Sequence, residues 1–125
     1  MKVTKTTKSK LNKIDFSNLP FGTVFSDHML ICNYKDGHWG EAEILPYGPI
    51  PMAPGSQVLH YGQSVFEGMK AFKNDSNELL LFRKDENFKR LNQSAVRLSI
   101  PLIDESIFMN GLDSLLKIDS EWCKA

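Results

Sequence analysis

Residues 81–98, LFRKDENFKRLNQSAVRL, carry the clearest periodicity in the chain. Apolar side chains recur there at intervals of three and four residues: Phe88, Leu91, Ala95 and Leu98. This spacing predicts a helix with one buried face. Asp85 is the predicted N-cap of the helix, and Pro101 ends it because proline cannot continue a helical backbone.

A second amphipathic helix is predicted after Pro101, with Asp104 as its N-cap. Its apolar face consists of Phe108, Leu112, Leu115, Leu116 and Trp122. Gly111 weakens the helix, since glycine is a poor helix former. We expect the helix to run to Ala125, and an apolar face that continues to the last residue indicates a covering partner or a truncated chain.

Two hairpins are predicted upstream of these helices. Asp36 and Gly37 are a strong signal for a type I′ turn, which needs positive φ at both central positions. Further along, candidate strands at 69–73 and 78–83 flank a polar turn. Antiparallel hairpins followed by two helices predict an α+β fold.

The composition is that of one ordinary globular domain. The chain has 125 residues and 14.2 kDa, of which 42% are hydrophobic and 24% charged. Fifteen basic residues balance fifteen acidic ones, which argues against nucleic-acid binding. No apolar run approaches the ~20 residues of a membrane span. We therefore expect a soluble, cytoplasmic protein that binds neither nucleic acid nor membrane.

Charge is unevenly distributed along the chain. Residues 1–13 contain five lysines and no acidic residue, and no apolar signal-peptide core follows them. A transit peptide is usually rich in arginine, and this segment has none. We expect residues 1–19 to be a disordered basic tail and residues 20–125 to be the folded domain.

Neither the histidines nor the cysteines form a recognisable catalytic or metal-binding pattern. Adjacent residues of a strand point to opposite faces, so Asp27 and His28 are not expected to share a site. We interpret the histidines as polar residues of loops or edges: His28, His38 and His60. Cys32 and Cys123 are expected to be free thiols, and no metal site is expected.

Arginines of the predicted helix are candidates for anion binding. Arg90 and Arg97 are seven residues apart and share a face that borders the apolar one. A guanidinium binds phosphate or carboxylate through paired hydrogen bonds. Spacing alone leaves two interpretations open, a solvated helix face and an anion site.

Three blocks of sequence resemble the branched-chain aminotransferases, which are pyridoxal 5'-phosphate (PLP) enzymes of fold type IV. The blocks are FGTVFSDHM at 21–29, LHYGQSVFEGMKAF at 59–72 and the segment at 81–98. They occur in the family's order, and the resemblance covers residues 20–125. It implies the small N-terminal domain of such an enzyme.

The resemblance implies a role for five residues. Arg90 matches the arginine that binds the PLP phosphate. Phe21, Tyr61 and Phe66 match aromatic side chains that line the pocket for the branched side chain. In the family's homodimers, the tyrosine matched by Tyr61 reaches the neighbouring subunit's site. Gly68 matches a glycine near the substrate, where a Cβ would crowd the ligand.

The implied reaction transfers the amino group of leucine, isoleucine or valine to 2-oxoglutarate, as in branched-chain amino-acid biosynthesis. The family's Schiff-base lysine lies in the large domain, beyond residue 125, and the lysines of this chain match no such position. We therefore expect no catalytic residue here, no activity of the chain alone, and a dimer or higher oligomer. The alternatives are a non-catalytic dimerising or ligand-binding module, a D-amino-acid transaminase and an aminodeoxychorismate lyase.

Overall fold

The computed structural model describes residues 1–124. Short strands precede two longer helices, and a third, short helix lies between the strands. The strands are β1 Lys2–Val3, β2 His28–Ile31, β3 Tyr34–Lys35, β4 His38–Trp39, β5 Glu43–Pro46, β6 Ala71–Lys73 and β7 Leu79–Leu81. The helices are α1 Gln57–Tyr61, α2 Lys84–Arg97 and α3 Glu105–Ile118, with 3-10 turns at Leu11–Lys13 and Ser120–Trp122. The α+β prediction is confirmed at this level.

The largest sheet has the order β1-β5-β2 and combines both strand directions. β5 pairs antiparallel with β2 and parallel with β1. Ile44 of β5 has no exposed surface. α3 packs on β2 so closely that a Cβ added to Gly111 would overlap Cδ2 of Leu30 and lie 3.3 Å from its Cδ1.

Both predicted hairpins are confirmed. Asp36 and Gly37 have φ of 52° and 83° between β3 and β4, as a type I′ turn requires. β6 and β7 pair antiparallel across a polar turn that ends at Asn77, whose φ is 62°. Asn74 stabilises this turn, since its Oδ1 accepts the backbone N–H of Glu78 at 2.8 Å.

α2 confirms the predicted helix, but its first residue differs. Arg83 occupies the N-cap position with a left-handed φ of 53°, and Asp85 lies inside the first turn. The prediction of Asp85 as the N-cap is therefore wrong. The left-handed Arg83 turns the chain from β7 into the helix, and Asp85 contributes its charge to the positive helix end instead. Ala95 is buried, and Phe88 packs against Phe108 of α3 with ring centroids 5.4 Å apart.

α3 begins after Asp104, as predicted, but ends at Ile118. The prediction that this helix continues to the end of the chain is wrong for residues 119–124, which lie outside it. Ala125 lies outside the described residues. The side chain of Asp119, the C-cap, is engaged by His28, and the chain continues as a 3-10 turn. Trp122 lies on that turn, where its indole N–H donates to Asp27 Oδ2 at 3.2 Å.

The N-terminal segment differs from the disordered tail predicted for residues 1–19. Lys2 and Val3 form β1 beside β5. The Thr6 N–H donates to Nε2 of His28 at 2.9 Å, and the Lys10 N–H donates to Oδ1 of Asp27 at 2.9 Å. The sequence indicates disorder here because its lysine-rich composition suggests a solvated tail. Composition does not show that backbone N–H groups of this segment bind distant side chains.

His28 corrects the interpretation of the histidines as edge polarity. Its side chain is buried, as are those of Asp27 and Asp119. Burial raises the pKa of Asp27, but hydrogen bonds from Ser9, Lys10 and Trp122 outweigh it and lower that pKa below its usual value. His60 lies in helix α1 and not in a loop or at a sheet edge. Cys32 and Cys123 are free thiols, as predicted. Among the helices of residues 1–124, none has the length and apolar character needed to cross a membrane.

Candidate functional site

A surface loop of residues 62–70, between α1 and β6, lies along α2 and carries part of the predicted site. At one end, Gln63 Nε2 donates to the carbonyl of Leu98 at 2.8 Å. At the other end, Asn87 Nδ2 donates to the carbonyl of Gly68 at 3.0 Å. The loop therefore runs antiparallel to the helix, from its last turn back to its first.

Arg90 of α2 binds Glu67 of this loop. Arg90 Nε donates to Glu67 Oε2 at 2.7 Å, and Arg90 Nη2 donates to Oε1. The backbone N–H of Gly68 also donates to Oε1, at 2.9 Å. The Glu67 side chain is only 8% exposed, whereas that of Arg90 is 66% exposed. The carboxylate is thus enclosed, and the guanidinium faces outward.

The ion pair is charged at neutral pH. The hydrogen bond from Arg90 lowers the pKa of Glu67 from 4.5 to about 2, against the opposing effect of burial. The same hydrogen bond raises the pKa of Arg90. The pair therefore stays ionised throughout the range in which most enzymes work.

A shallow groove of about 470 Å³ lies beside Arg90. Phe82 forms an apolar part of its lining, and Arg83 and Lys89 add positive charge. Lys89 Nζ donates to Glu86 at 2.8 Å, which raises the pKa of Lys89. The lining combines an aromatic side chain with three cations and one carboxylate, that of Glu86, which pairs with Arg83 and Lys89. The net positive charge and the ring suit a ligand that carries both a ring and an anionic group.

The predicted aromatic residues all lie at the surface. Phe21 is fully exposed, Phe66 is 90% exposed and Tyr61 is 78% exposed. Within residues 1–124, their rings do not stack on one another. Phe66 lies on the 62–70 loop next to Glu67, whereas Phe21 and Tyr61 belong to other segments. The described residues alone therefore do not close an aromatic pocket.

Gly68 also lies on the 62–70 loop. A Cβ added there would meet Phe66 Cε2 at 3.9 Å, an ordinary van der Waals distance. The chain itself therefore leaves room for a methyl group at this position. Crowding of a bound ligand by such a methyl group stays a prediction.

Glu67, Asn87 and Gln63 were not singled out by the sequence. Glu67 is 23 residues from Arg90, and no helical or strand periodicity connects the two positions. The one available signal was a single acidic residue, Glu67, between Phe66 and Gly68 in a glycine-bounded segment. Such a residue needs a partner once it is enclosed.

The residues present fit the phosphate end of PLP. Glu67 occupies the Nε edge of the Arg90 guanidinium, and no partner for Nη1 appears among residues 1–124. A guanidinium edge with free N–H donors matches phosphate oxygens. Three lysines near the site are ion-paired: Lys73 with Glu121, Lys84 with Asp113 and Lys89 with Glu86.

Known proteins similar to this chain are branched-chain-amino-acid aminotransferases, although no protein-family model matches it. A probable branched-chain-amino-acid aminotransferase of Staphylococcus aureus (strain MRSA252) is 50% identical over 111 residues, 88% of this chain and 31% of the relative. Branched-chain-amino-acid aminotransferase 2 of Bacillus subtilis (strain 168) is 47% identical over 117 residues, 93% of this chain and 32% of the relative. The chain spans about a third of the length of these relatives.

Proposed function

From the chain's homology to the N-terminal 30% or so of branched-chain-amino-acid aminotransferases, we propose that residues 20–125 form the small N-terminal domain of such an enzyme. In this proposal, Arg90 binds the phosphate of PLP. The supporting observation is the outward guanidinium of Arg90, held at one edge by Glu67 beside a cationic groove.

The residues of this chain bind and orient in the proposed reaction. PLP, when bound, supplies the electron-withdrawing chemistry that lets an amino group move between an amino acid and a 2-oxo acid. Phe21, Tyr61 and Phe66 exclude water from the aliphatic side chain of leucine, isoleucine or valine. An apolar pocket of this kind separates substrates by only about 1–3 kcal/mol per methylene. The lysine that moves the proton belongs, by the resemblance, beyond residue 125.

The exposed surface supports a covering partner. The chain exposes 9258 Å², whereas a compact monomer of its mass exposes about 6,800 Å². Large apolar side chains account for part of the excess, Phe66 and Phe82 among them. We assign this surface to the large domain of the enzyme and to a second subunit of a homodimer.

A chimaera tests the proposal. In aminotransferase 2 of B. subtilis, the 117 matched residues are replaced by those of this chain. We expect the chimaera to bind PLP and to convert leucine and 2-oxoglutarate. Arg90→Ala in the chimaera should weaken PLP binding roughly tenfold to hundredfold, the range for a hydrogen bond to a charged group.

Arg97→Ala is the matched control for this experiment. Arg97 is an exposed arginine of the same helix, two turns further on, and should leave PLP affinity unchanged. A chimaera that folds and remains soluble but binds no PLP contradicts the proposal. Equal losses in Arg90→Ala and Arg97→Ala contradict the role of Arg90.

A further inference from the structure

The ion pair between Glu67 and Arg90 uses one particular edge of the guanidinium. Glu67 accepts hydrogen bonds from Nε and Nη2, which together form the side edge. Nη1 lies at the opposite end and has no partner among residues 1–124. Paired hydrogen bonds fix both the position and the plane of the group. The free end therefore has a defined direction.

The carboxylate itself is held by the backbone. Gly68 donates its N–H to Glu67 Oε1, and the carbonyl of the same Gly68 accepts a hydrogen bond from Asn87 of α2. Glu67 is enclosed, while Arg90 extends into solvent. The Glu67 carboxylate is thus held in place by the backbone, and its hydrogen bonds reduce the rotamer freedom of the exposed Arg90 side chain.

A negative charge next to an anion site has a cost. The Glu67 carboxylate repels a phosphate in the groove, although solvent screens this repulsion. The opposing effect is entropic. The Arg90 side chain is already ordered by Glu67 in the ligand-free chain, so it loses less rotamer freedom when the ligand binds. Repulsion by Glu67 weakens phosphate binding and ordering of Arg90 strengthens it. The change in phosphate affinity on removal of the carboxylate therefore shows which effect is larger.

We propose that Glu67 is a positioning residue for Arg90, whose carboxylate holds the Nε edge of the guanidinium so that its Nη1 end faces a phosphate in the adjacent groove. The inference rests on the proposed function, because it concerns the phosphate that this function assigns to Arg90. Glu67 touches neither the cofactor nor the substrate in this arrangement and acts through Arg90 alone.

Side-chain NMR of the ¹⁵N-labelled chain tests this directly, with inorganic phosphate as the probe. The Arg90 Nε–H signal is assigned by its loss in Arg90→Ala. On addition of phosphate, we expect the Nη signals of Arg90 to respond while the Nε–H signal keeps its carboxylate-bound position. Movement of the Nε–H signal to a carboxylate-free position means that phosphate displaces Glu67, and this overturns the proposal.

Two substitutions separate charge from geometry. Glu67→Gln removes the charge, and Glu67→Asp keeps the charge but shortens the reach to Arg90. We expect both to weaken phosphate binding about threefold to tenfold, since the arginine must then be ordered by the ligand. Tighter binding by Glu67→Gln together with unchanged binding by Glu67→Asp indicates a purely electrostatic effect and overturns the proposal. If a variant does not fold, the Nε–H measurement on the native chain still decides.

Gln63→Ala is the control for a merely structural role. It releases the 62–70 loop from the other end of α2 without contact with Arg90. Phosphate affinity equal to that of the native chain is expected. A loss as large as that of Glu67→Gln shows that Glu67 only fixes the loop, and this overturns the proposal.

The two proposals fail in different ways. If the native chain shows no response of Arg90 to phosphate, or if Arg90→Ala binds phosphate as the native chain does, the phosphate role of Arg90 is wrong and this inference is wrong with it. If Arg90 responds but the Glu67 variants bind phosphate as the native chain does, only the positioning role is wrong.

Discussion

Asp119 accepts two hydrogen bonds from His28, which lies 91 residues earlier in the chain. The backbone N–H of His28 donates to Oδ2 at 3.0 Å, and Nδ1 donates to Oδ1 at 2.6 Å. The Thr6 N–H donates to the other ring nitrogen, so Nε2 is an acceptor and the ring proton is on Nδ1. One histidine thus connects the N-terminal segment, β2 and the end of α3.

Asp119→Ala should destabilise the chain by about 2–4 kcal/mol, because it leaves two buried donors of His28 without an acceptor. Urea unfolding followed by circular dichroism measures this. Asp113→Ala is the control on the same helix, since Asp113 pairs with Lys84 at the surface. Its cost should stay below about 1 kcal/mol. Equal costs for the two variants contradict the structural importance of the buried pair.

Gly111→Ala should destabilise the chain by about 1 kcal/mol, although the same change in an exposed helix is stabilising by a similar amount. The added methyl overlaps Leu30 of β2, as the packing of α3 on the sheet requires. In a Leu30→Ala background the overlap disappears, and Gly111→Ala should become stabilising there. Additive free energies of unfolding in the double-mutant cycle are incompatible with this contact.

Glu67 should make the chain less stable in acid. Its folded pKa, about 2, lies below the ordinary 4.5, so the ionised pair stabilises the fold above about pH 4.5 and loses this contribution as the pH falls toward 2. The native chain should therefore lose more free energy of unfolding between about pH 5 and about pH 3 than Glu67→Gln does. Gln63→Ala removes a hydrogen bond of the same loop but no titrating group. Its free energy of unfolding should therefore fall with pH as steeply as that of the native chain. Parallel curves for the native chain and Glu67→Gln count against the lowered pKa.

The 125-residue chain should not transaminate leucine with 2-oxoglutarate, even with PLP in excess. Within the described residues, Lys73, Lys84 and Lys89 are ion-paired, and the resemblance places the Schiff-base lysine beyond residue 125. Glutamate formation by the purified chain measures this, with the B. subtilis chimaera as the positive control. Reproducible turnover by the chain contradicts the prediction.

The chain should associate in solution, because its exposed area exceeds that of a compact monomer. We expect light scattering to show a dimer or a higher oligomer. Replacing the two exposed rings of Phe66 and Phe82 by serine should shift the population toward monomer without changing the circular dichroism spectrum. A native chain that stays monomeric at high concentration is the contrary result.

Local signals in the sequence predicted the elements that local interactions determine. The Asp36–Gly37 turn depends on the φ preferences of two adjacent residues, and α2 depends on a periodicity within a few turns. The start of α2 was missed by two residues because Arg83, and not the predicted Asp85, is the N-cap, in a left-handed conformation that nothing in its neighbourhood indicates. Helix ends are set by such single residues more than by periodicity.

Long-range pairs could not be predicted in this way. Glu67 and Arg90, like His28 and Asp119, meet through the tertiary arrangement, and no spacing rule connects residues so far apart. The resemblance singled out Arg90, yet it did not indicate that Glu67 is the immediate neighbour of its guanidinium. The N-terminal segment was missed for the same reason, because the acceptors of its backbone N–H groups are distant side chains.

The antiparallel course of the 62–70 loop along α2 has a consequence for chain length. Surface loops usually tolerate insertions and deletions, since their ends alone are fixed. This loop is hydrogen-bonded to α2 and its C-cap at three points: Gln63 to Leu98, Glu67 to Arg90 and Gly68 to Asn87. Gain or loss of a single residue between Gln63 and Glu67 shifts one anchor relative to the other. Although the loop is exposed, its alignment with α2 is therefore fixed as strictly as the register of a paired β-strand, and we expect its length to tolerate no change between Gln63 and Glu67.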